Sequence, residues 1–303
     1  SIDASASSGK LTVSGSDSDG NITVLGGSAG DAITIATAPA SGKVHSLVGG
    51  LGNDTITGSS GGETIEGGAG HDSLDGAAGN DNISGGAGND TFSFMTSAEL
   101  NADDTIDGGD GTDNLDVLSA VDLDSSSTAS TSVTLTSIEG VDIDLGADNL
   151  SFDASGWTSL ETLTLTSATN DYTPTVNNIK DGVLVTFSNL NVDDAVLDMA
   201  AGASVTVDVE SAIHDLTITD AVNVTINGEG ATANLESLTL DATDTKTLTL
   251  TADDGTSLDT GSISNTDEIT TFTATTTKAS GTITMGGGTM VDVDGLTTLN
   301  LSA

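Results

Sequence analysis

Along residues 49–93, a large apolar residue recurs at one position in every nine, with a polar residue on each side. These residues are Ile56, Ile65, Leu74, Ile83 and Phe92. Successive side chains of a strand point to opposite faces, so an isolated apolar residue predicts a very short strand with one inward side chain. The spacing returns at Leu115 and, more weakly, at Ile33. This part of the chain therefore predicts a stack of minimal strands.

The apolar residues belong to five contiguous nonapeptides, GGLGNDTIT, GSSGGETIE, GGAGHDSLD, GAAGNDNIS and GGAGNDTFS. A sixth, GGDGTDNLD, covers residues 108–116, and a weaker copy, GGSAGDAIT, covers residues 26–34. The six strong copies have Gly at positions 1 and 4, where Gly permits the positive φ of a tight turn. Position 6 is acidic and holds Asp54, Glu63, Asp72, Asp81, Asp90 and Asp113, with Asp31 in the weak copy. Two nonapeptides make one coil of 18 residues, which stacks Asp54, Asp72 and Asp90 in one ladder and Glu63 with Asp81 in another.

Residues 117–303 change to short alternating segments in which Thr dominates the outward positions. Strands are predicted at 133–135, 163–165, 205–209, 216–218, 222–226, 238–240 and 248–250. Spacings of about 8–12 residues between such segments indicate repetitive all-β structure. A looser phrase, LTSIEGVDIDL, WTSLETLTL, ANLESLTL and DGLTTLNL, recurs and is interpreted as a solenoid corner leading into a strand. Trp157 opens one of these phrases and is expected to plug a corner rather than to stack on a sugar.

We predict three segments in an extended, all-β parallel solenoid. They are a degenerate lead-in at 1–48, a β-roll at 49–116 and a threonine-rich solenoid at 117–303. The break between the fifth and sixth repeats reads FMTSAELNADDTID. There Thr96 or Ser97 is suited to cap one helical turn running through Asn101; the alternative is a bulge on the roll.

Composition narrows the function classes. The chain of 303 residues has 5 Lys and Arg against 46 Asp and Glu, a formal charge of −41. Such a chain has no positive footprint for nucleic acid or for an anionic membrane surface. It has no Cys, no apolar run long enough for a membrane span, and seven aromatic residues (five Phe, one Trp and one Tyr), which favours a thin core. Because it begins without Met, we expect it to be a piece of a longer protein.

Stacked carboxylates at strand spacing repel one another unless a cation lies between them. Residues 49–93 hold seven acids and no Lys or Arg, namely Asp54, Glu63, Glu66, Asp72, Asp75, Asp81 and Asp90. Five turns give three sandwiches of turns i and i+2, so three divalent ions would carry +6 against −7. Carboxylate and carbonyl oxygens are hard ligands, which favour calcium. The sequence therefore predicts a calcium-stapled roll.

These nonapeptides resemble the RTX repeat, GGxGxDxUx, a calcium-binding β-helix repeat. The resemblance implies that each calcium lies between two turns of a parallel β-roll, held by position-6 carboxylates and turn carbonyls. It assigns side-chain ligands at Asp54, Asp72, Asp81, Asp90 and Asp113, with Glu63 as the weakest match and Asp31 in the degenerate copy. The carbonyl donors it suggests are Gly49, Leu51, Asn53, Gly67, Ala69, His71, Gly76, Ala78, Asn80, Gly85, Ala87, Asn89, Gly108, Asp110 and Thr112.

The blend of RTX turns with repeated Thr-rich strands is similar to the surface-layer (S-layer) proteins of Gram-negative bacteria. That resemblance implies type I secretion, an extracellular position at the bacterial cell surface, and calcium-dependent assembly into a lattice of identical copies, with a surface polysaccharide as a candidate anchor. The main alternative is an adhesin or ligand-binding segment of a large surface protein. A third reading is the export module of an enzyme whose catalytic domain lies elsewhere.

Catalytic motifs are weak, and we expect no enzyme in this chain. HExxH does not occur, and His45, His71 and His214 lie far apart. A GxSxG string at residues 58–62 falls inside a repeat turn instead of the strand–turn–helix context of a nucleophile elbow. The acid pairs Asp193–Asp194 and Asp253–Asp254 are expected to be solvated or to be additional calcium ligands, with a catalytic acid/base pair as the alternative. The second pair sits in DDGTSLD at residues 253–259, where three acids and a glycine could form a further calcium site.

Overall fold

A computed structural model describes residues 1–15, 20–95, 99–100, 103–118, 133–145, 151–166, 173–188, 191–210, 212–228, 234–240, 245–252, 257–260, 262–264, 269–276, 282–284 and 298–302. Every regular element in these ranges is a β-strand. None of the described segments forms a helix of the length and apolarity that crossing a membrane requires. The predicted turn from Thr96 or Ser97 to Asn101 lies outside the described residues.

The strands are numbered in chain order. They are β1 (Ile2–Asp3), β2 (Thr12–Gly15), β3 (Thr23–Leu25), β4 (Ala32–Ile35), β5 (His45–Leu51), β6 (Thr55–Thr57), β7 (Glu63–Ala69), β8 (Ser73–Asp75), β9 (Asn82–Ala87), β10 (Thr91–Phe94), β11 (Thr105–Asp110), β12 (Asn114–Leu118), β13 (Thr134–Thr136), β14 (Gly140–Asp144), β15 (Ser151–Asp153), β16 (Thr162–Thr166), β17 (Thr175–Ile179), β18 (Leu184–Ser188), β19 (Asn191–Val209), β20 (Ala212–Gly228), β21 (Asn234–Leu240), β22 (Thr247–Ala252), β23 (Ser257–Asp259), β24 (Ser262–Ser264), β25 (Thr271–Thr276), β26 (Thr282–Thr284) and β27 (Thr298–Ser302).

The chain divides into two compact units. Unit 1 comprises residues 1–142 and 156–160, and unit 2 comprises residues 143–155 and 161–303. This division does not test the boundaries expected at 48/49 and 116/117, which stay predictions.

In unit 1, each strand pairs in parallel with the strand two places along the chain. The odd-numbered strands from β1 to β13 form one sheet. The even-numbered strands β2, β4, β6, β8, β10 and β12 form the other pairing series. Ile56 stands beside Leu74 in this register, and Leu74 beside Phe92, which is the predicted step of 18 residues. This arrangement is a parallel β-solenoid.

The core of unit 1 is one side chain deep for most of its length. Ile56, Leu74 and Ile83 are each the only apolar side chain buried by their strand, and each is 0% exposed. The exceptions include β4, β10 and β12, which each bury two apolar side chains: Ile33 and Ile35, Phe92 and Phe94, and Leu115 and Val117. Such short strands bury little apolar surface, so the hydrophobic contribution of each turn is small.

Unit 2 is also a parallel solenoid. Its short strands β15, β23 and β24 bury one apolar side chain each, but its longer strands β16 to β22 and β25 bury two or more. In β16 these are Leu163 and Leu165, and β22 buries Leu248, Leu250 and Ala252. Both β19 and β20 continue around a corner, since their two halves pair with different neighbours. The corners contain Gly202 at φ 82° and Asp220 at φ 59°.

The predicted fold class, an all-β parallel solenoid, is confirmed. Six of the seven predicted strands of residues 117–303 fall within strands, and the seventh, 133–135, is displaced by one residue relative to β13. Trp157 lies buried in the turn between β15 and β16, as expected for a corner residue.

Candidate metal centre

The Gly-rich turns of unit 1 stack so closely that a side chain has no room at several positions. Gly70, Gly88 and Gly111, at position 4 of their repeats, have φ of 153°, 135° and 147°. A Cβ on Gly88 would overlap the carbonyl oxygen of Gly70 one turn away. The glycines are therefore required both by the backbone conformation and by the contact between turns. This tight stacking brings the position-6 side chains of neighbouring turns within hydrogen-bonding reach.

Those side chains form a continuous ladder, here called the first ladder. In each step the backbone N–H of one position-6 residue donates to a carboxylate oxygen of the position-6 residue in the next turn. The N···O distances are 2.6 Å from Asp31 to Asp54, 2.8 Å from Asp54 to Asp72, 2.8 Å from Asp72 to Asp90, 2.7 Å from Asp90 to Asp113 and 2.9 Å from Asp113 to Glu139. The predicted stack of Asp54, Asp72 and Asp90 is thus present in the fold.

A second ladder occupies the alternate turns. Glu63 N–H donates to Asp81 Oδ1 at 2.7 Å, and Asp81 N–H donates to Asp104 Oδ1 at 2.7 Å. At its N-terminal end, Ile22 N–H donates to His45 Nδ1 at 2.9 Å. His45 is in register with Glu63, so an imidazole takes the place that a carboxylate holds elsewhere.

One oxygen of several ladder carboxylates has no hydrogen-bond partner. These atoms are the Oδ2 atoms of Asp54, Asp72, Asp81, Asp90 and Asp113, and all are buried. An ionised oxygen buried without a partner is strongly unfavourable, so such an atom indicates a missing ligand or proton.

The orphaned oxygens face the position-1 glycines of their own repeats. A Cβ on Gly67 would collide with Asp72 Oδ2 and would lie 2.7 Å from the Gly85 carbonyl oxygen. The same arrangement is found at Gly49 and Gly85. At Gly76, the three atoms nearest an added Cβ include Asp81 Oδ2 but no carbonyl oxygen. At Gly49, Gly67 and Gly85, the absent side chain therefore leaves an open space. An anionic oxygen of the first ladder and a carbonyl oxygen from the next turn border this space. Hard oxygen donors of this kind suit calcium.

Burial also changes the acidity of these carboxyl groups. Removal from water raises the pKa of Asp81 to about 8, with added repulsion from Glu63, Asp104 and Asp75. Burial raises the pKa of Asp72 and of Asp113 to about 6, again with repulsion from neighbouring acids. The pKa values of Asp54, Glu63 and Asp90 are raised mainly by the same desolvation. The ladders thus bind protons more tightly than free carboxylates when no cation is present.

Asp31 and Glu63 differ from the other predicted ligands because protein donors satisfy both of their oxygens. Asp31 accepts from Leu11 N–H at 2.6 Å and from Gly27 N–H at 2.9 Å. The longer side chain of Glu63 turns back to its own repeat and accepts from Ser59 N–H at 2.9 Å and Ser59 Oγ at 2.7 Å. Their assignment as ligands stays a prediction, and their geometry does not demand a cation.

The predicted carbonyl donors come from positions 1, 3 and 5 of the repeats, and those at positions 1 and 3 differ in their surroundings. At position 1, four carbonyl oxygens lie beside the position-1 glycine of the adjacent turn: those of Gly67, Gly76, Gly85 and Gly108. The Gly49 carbonyl oxygen lies likewise beside Gly26 of the weak repeat. The position-3 carbonyls of Ala69, Ala87 and Asp110 accept backbone N–H groups from Gly52, Gly70 and Gly88. Leu51, also at position 3, is 56% exposed and donates its N–H to Gly27, and Ala78 lies half-buried. Among the predicted donors, the carbonyls of Gly67, Gly85 and Gly108 therefore lie beside the orphaned oxygens of Asp54, Asp72 and Asp90.

The position-5 side chains form an outer ladder that runs in the opposite direction. His71 N–H donates to Asn53 Oδ1 at 3.1 Å, Asn89 N–H donates to His71 Nδ1 at 2.8 Å, and Thr112 N–H donates to Asn89 Oδ1 at 3.3 Å. Asn80 instead donates from Nδ2 to Asp103 Oδ2 at 3.2 Å. These exposed bonds tie successive turns together.

Three ladder residues were missed from the sequence. Asp104 and His45 are at position 6 of ELNADDTID (99–107) and ASGKVHSLV (40–48), nonapeptides that directly precede strong repeats in the same phase. Neither has Gly at positions 1 and 4, but each keeps an apolar residue at position 8, Ile106 and Leu47. Glu139 follows the last strong repeat and lies in the recurring phrase LTSIEGVDIDL, which lacks the glycines of the nonapeptide.

Other predicted features are separate from the ladders. The GxSxG string lies between β6 and β7, so a strand rather than a helix comes after it. Asp194 is exposed on β19. The Asp193 side chain and residues 253–256 lie outside the described residues. Within the described part, no three His, Asp or Glu side chains converge on one point, because ladder carboxylates stand in single file and any cation there needs backbone oxygens.

A family model described as the RTX calcium-binding nonapeptide repeat matches residues 46–62, 57–92 and 101–120. The matched residues carry repeats of a calcium-binding type, and together with the parallel solenoid of unit 1 they support an RTX β-roll here. The third match includes Asp104 and so covers one of the missed ladder residues. Searches of curated proteins and of solved structures found no match.

Proposed function

We propose that the RTX roll binds its calcium at the ladder steps where a carboxylate oxygen is orphaned. The residues assigned this role are Asp54, Asp72, Asp81, Asp90 and Asp113. The carbonyls of Gly67, Gly85 and Gly108, each from the next turn, join Asp54, Asp72 and Asp90 respectively. The buried, unpartnered Oδ2 atoms support this proposal, because a hard cation would satisfy them and would offset the repulsion within each ladder. Asp104 is assigned to the second ladder beside Asp81.

Calcium binding by these residues is coupled to folding. When bound, calcium supplies positive charge and oxygen coordination at the turns. Without it, the ladder carboxylates must be protonated or must repel one another in a roll whose turns mostly bury one apolar side chain each. The free energy of binding therefore contributes directly to folding. A chain with a charge of −41 is expected to stay expanded in a low-calcium cytosol and to fold after export.

The isosteric variants Asp72→Asn and Asp90→Asn test this assignment. Each should lower the calcium stoichiometry measured by isothermal titration calorimetry and raise the calcium concentration at the folding midpoint. Asp194→Asn, an exposed acid on β19, is the matched control and should change neither quantity. Full stoichiometry and an unchanged midpoint in both ladder variants would refute the assignment.

We further propose that the protein has a structural, non-enzymatic role at the bacterial surface, in which copies assemble through unit 2. One sheet of unit 2 presents a nearly uncharged surface, here called the threonine face. It comprises the outward positions of β16, β18, the second halves of β19 and β20, β22 and β25: Thr162, Thr164, Thr166, Leu184, Thr186, Ser188, Ser204, Thr206, Asp208, Asn223, Thr225, Asn227, Thr247, Thr249, Thr251, Thr271, Thr273 and Thr275.

Asp208 is the one charged residue of the threonine face, and Asn227 Nδ2 donates to it at 2.8 Å. The face also has long-range order, since Thr206, Thr225, Thr249 and Thr273 stand side by side in parallel register. Two copies carrying −41 each approach with least repulsion through an uncharged surface. A hydroxyl both donates and accepts hydrogen bonds, so a surface of Thr is complementary to itself, as a two-fold interface requires.

The size of the threonine face suits a weak contact that is repeated in a lattice. Six strands about 4.8 Å apart, with outward residues about 6.7 Å apart along each, cover roughly 600 Å² per copy. The total of roughly 1,200 Å² lies at the lower end for specific interfaces. A two-fold contact of this kind pairs two copies, so calcium-dependent sheets or filaments, the expected product, need at least one further contact between the pairs.

The double variant Thr225→Glu/Thr249→Glu tests this contact. Light scattering and negative-stain electron microscopy of the calcium-loaded protein should show loss of assemblies. Thr217→Glu, on the other sheet of unit 2, is the matched control and should assemble normally. Assembly by the double variant would exclude the threonine face. A wild-type monomer that is retained on a glycan array would instead favour the adhesin and would identify a polysaccharide partner.

A further inference from the structure

His45 ends the second ladder with a group that needs no cation. The imidazole is fully buried, with Nδ1 accepting from Ile22 N–H at 2.9 Å and Nε2 3.0 Å from the Thr37 carbonyl oxygen. A neutral ring protonated at Nε2 satisfies both contacts, because it accepts at Nδ1 and donates at Nε2. It therefore makes the hydrogen bond that Asp Oδ1 makes in other turns, without adding charge or leaving an orphaned atom.

At position 6, the neighbouring turns are satisfied by the protein in the same way. Asp31 has a backbone donor for each oxygen, Leu11 N–H and Gly27 N–H. Position 6 of the turn before His45 is the apolar Ile22, whose carbonyl accepts from Ser46 N–H at 2.9 Å. On the C-terminal side, the Glu63 carboxylate accepts hydrogen bonds from Ser59 N–H and Ser59 Oγ. The first orphaned oxygen in chain order among the described ladder residues is Asp54 Oδ2.

The geometry points to a calcium-independent cap: the turns that carry Ile22, Asp31 and His45 fold without calcium and template the calcium-dependent turns after them. This inference rests on the proposed coupling of calcium binding to folding in the roll. In a solenoid each turn contacts only its neighbours. The first turn must lose conformational entropy without an ordered neighbour to pack on, whereas each later turn packs on the strand edge of the turn before it. A prefolded β5 would offer that edge to β7, with which it pairs in parallel.

Residue-resolved amide hydrogen exchange by NMR on the full 303-residue chain tests the cap. In excess EGTA, the amides of Ile22 and Gly27 should exchange about 100-fold more slowly than an unstructured reference, as expected for a locally folded segment. The amides of Asp72 and Asp90 should exchange at the reference rate until calcium is added. That pattern would support both the cap and calcium-coupled folding.

Two other exchange patterns would separate the cap from the proposed function. If Ile22 and Gly27 are unprotected in EGTA and become protected together with Asp72 on adding calcium, the cap is refuted and calcium-coupled folding stands. If all four amides are protected in EGTA and calcium changes none of them, the proposed function fails as well.

Substitutions at His45 supply an independent readout. His45→Asn keeps an acceptor for Ile22 N–H and adds no charge, so protection of Ile22 in EGTA should fall less than tenfold. His45→Asp also keeps the acceptor but buries a carboxylate that lacks a second donor, so that protection should be lost. Equal behaviour of the two variants would contradict the role assigned to the neutral ring.

Discussion

The RTX roll of unit 1 and the solenoid of unit 2 are both parallel β-solenoids, but they are stabilised by different means. A coil of the roll takes 18 residues from Asp54 to Asp72, and β6, β8 and β9 each bury one apolar side chain. In unit 2 a coil takes 22 residues from Thr162 to Leu184, and β22 buries three. All five orphaned carboxylate oxygens of the described residues lie in unit 1. Unit 1 thus combines a thin core with carboxylate oxygens that a cation could satisfy. Unit 2 has a thicker core, and its described residues include no such oxygens.

The difference follows from side-chain size and strand length. Burial of an aliphatic side chain contributes about 1.5–3 kcal/mol, which is set against an ordering cost of about 1–2 kcal/mol for every residue fixed. One Ile in nine residues does not offset that cost by itself, and the proposed binding of calcium would supply part of the difference. Strands such as Thr162–Thr166, which alternate Thr with Leu, bury more apolar surface per residue.

Calcium removal should separate the two units most clearly. With excess EGTA, the methyl NMR signals of Ile65, Leu74 and Ile83 should collapse to random-coil positions, because their turns lose the cations that neutralise the ladders. The methyl signals of Leu165, Val207 and Leu250 should keep their native dispersion. Native signals from the first set in EGTA would show that the roll does not need calcium. Loss of the second set would show that unit 2 depends on calcium as well.

Gly88→Ala should be the most damaging single substitution in the roll. The new Cβ would overlap the Gly70 carbonyl oxygen at a residue whose φ is 135°. We expect a loss of about 4 kcal/mol or more, measured as a shift in the denaturant midpoint of the calcium-bound roll. Gly156→Ala is the control: it has open space around it and should change stability by less than about 0.5 kcal/mol. A mild effect at Gly88 would mean that the turns do not stack as closely as described.

Leu250→Ala should destabilise unit 2 through its core. Leu250 is 0% exposed, and truncating a buried Leu costs about 2–5 kcal/mol. The calcium midpoint of the roll, followed by the Leu74 methyl signal, should stay unchanged. A parallel shift of that midpoint would show that the two units fold as one cooperative system.

Acid should replace calcium in part, and only in the roll. Asp72 and Asp113 have pKa values raised to about 6, and Asp81 to about 8, from an ordinary value of 3.8. Folding therefore raises their proton affinity, so their contribution to stability is fully present below about pH 4 and is lost as pH rises through about 6 and then about 8. Circular dichroism in EGTA should show β structure recovered as pH falls from about 8 to about 4.

In unit 2, Asp153 has a lowered pKa, since the hydrogen bonds from Ser155 outweigh its slight burial. Asp153→Asn should therefore leave the acid-induced recovery of the roll unchanged, whereas Asp81→Asn should reduce it. Recovery that is insensitive to Asp81→Asn would show that general charge neutralisation, rather than the ladders, causes the effect.

Much of this fold was predictable because the repeat is regular. The inward residues Ile56, Ile65 and Leu74 and the stack of Asp54, Asp72 and Asp90 follow from the nine-residue period and the glycines. His45 and Asp104 could have been found from phase alone, since their nonapeptides adjoin strong repeats, but neither carries the glycines that mark a turn.

Other features depend on three-dimensional placement that the repeat pattern does not contain. Glu63 contacts Ser59 because one extra methylene lets its carboxylate fold back to a donor in its own turn. The second donor for Asp31 is the backbone of Gly27, which no pattern at position 6 specifies. The extension of β19 around the corner at Gly202 likewise reflects packing between coils, and not the short alternating segments seen in the sequence.

The most direct test of the central claim is a crystal structure of the calcium-loaded protein with anomalous difference maps. The account predicts calcium peaks beside the Oδ2 atoms of Asp54, Asp72, Asp81, Asp90 and Asp113, and none beside His45. Well-ordered turns with no cation next to these five oxygens would contradict it.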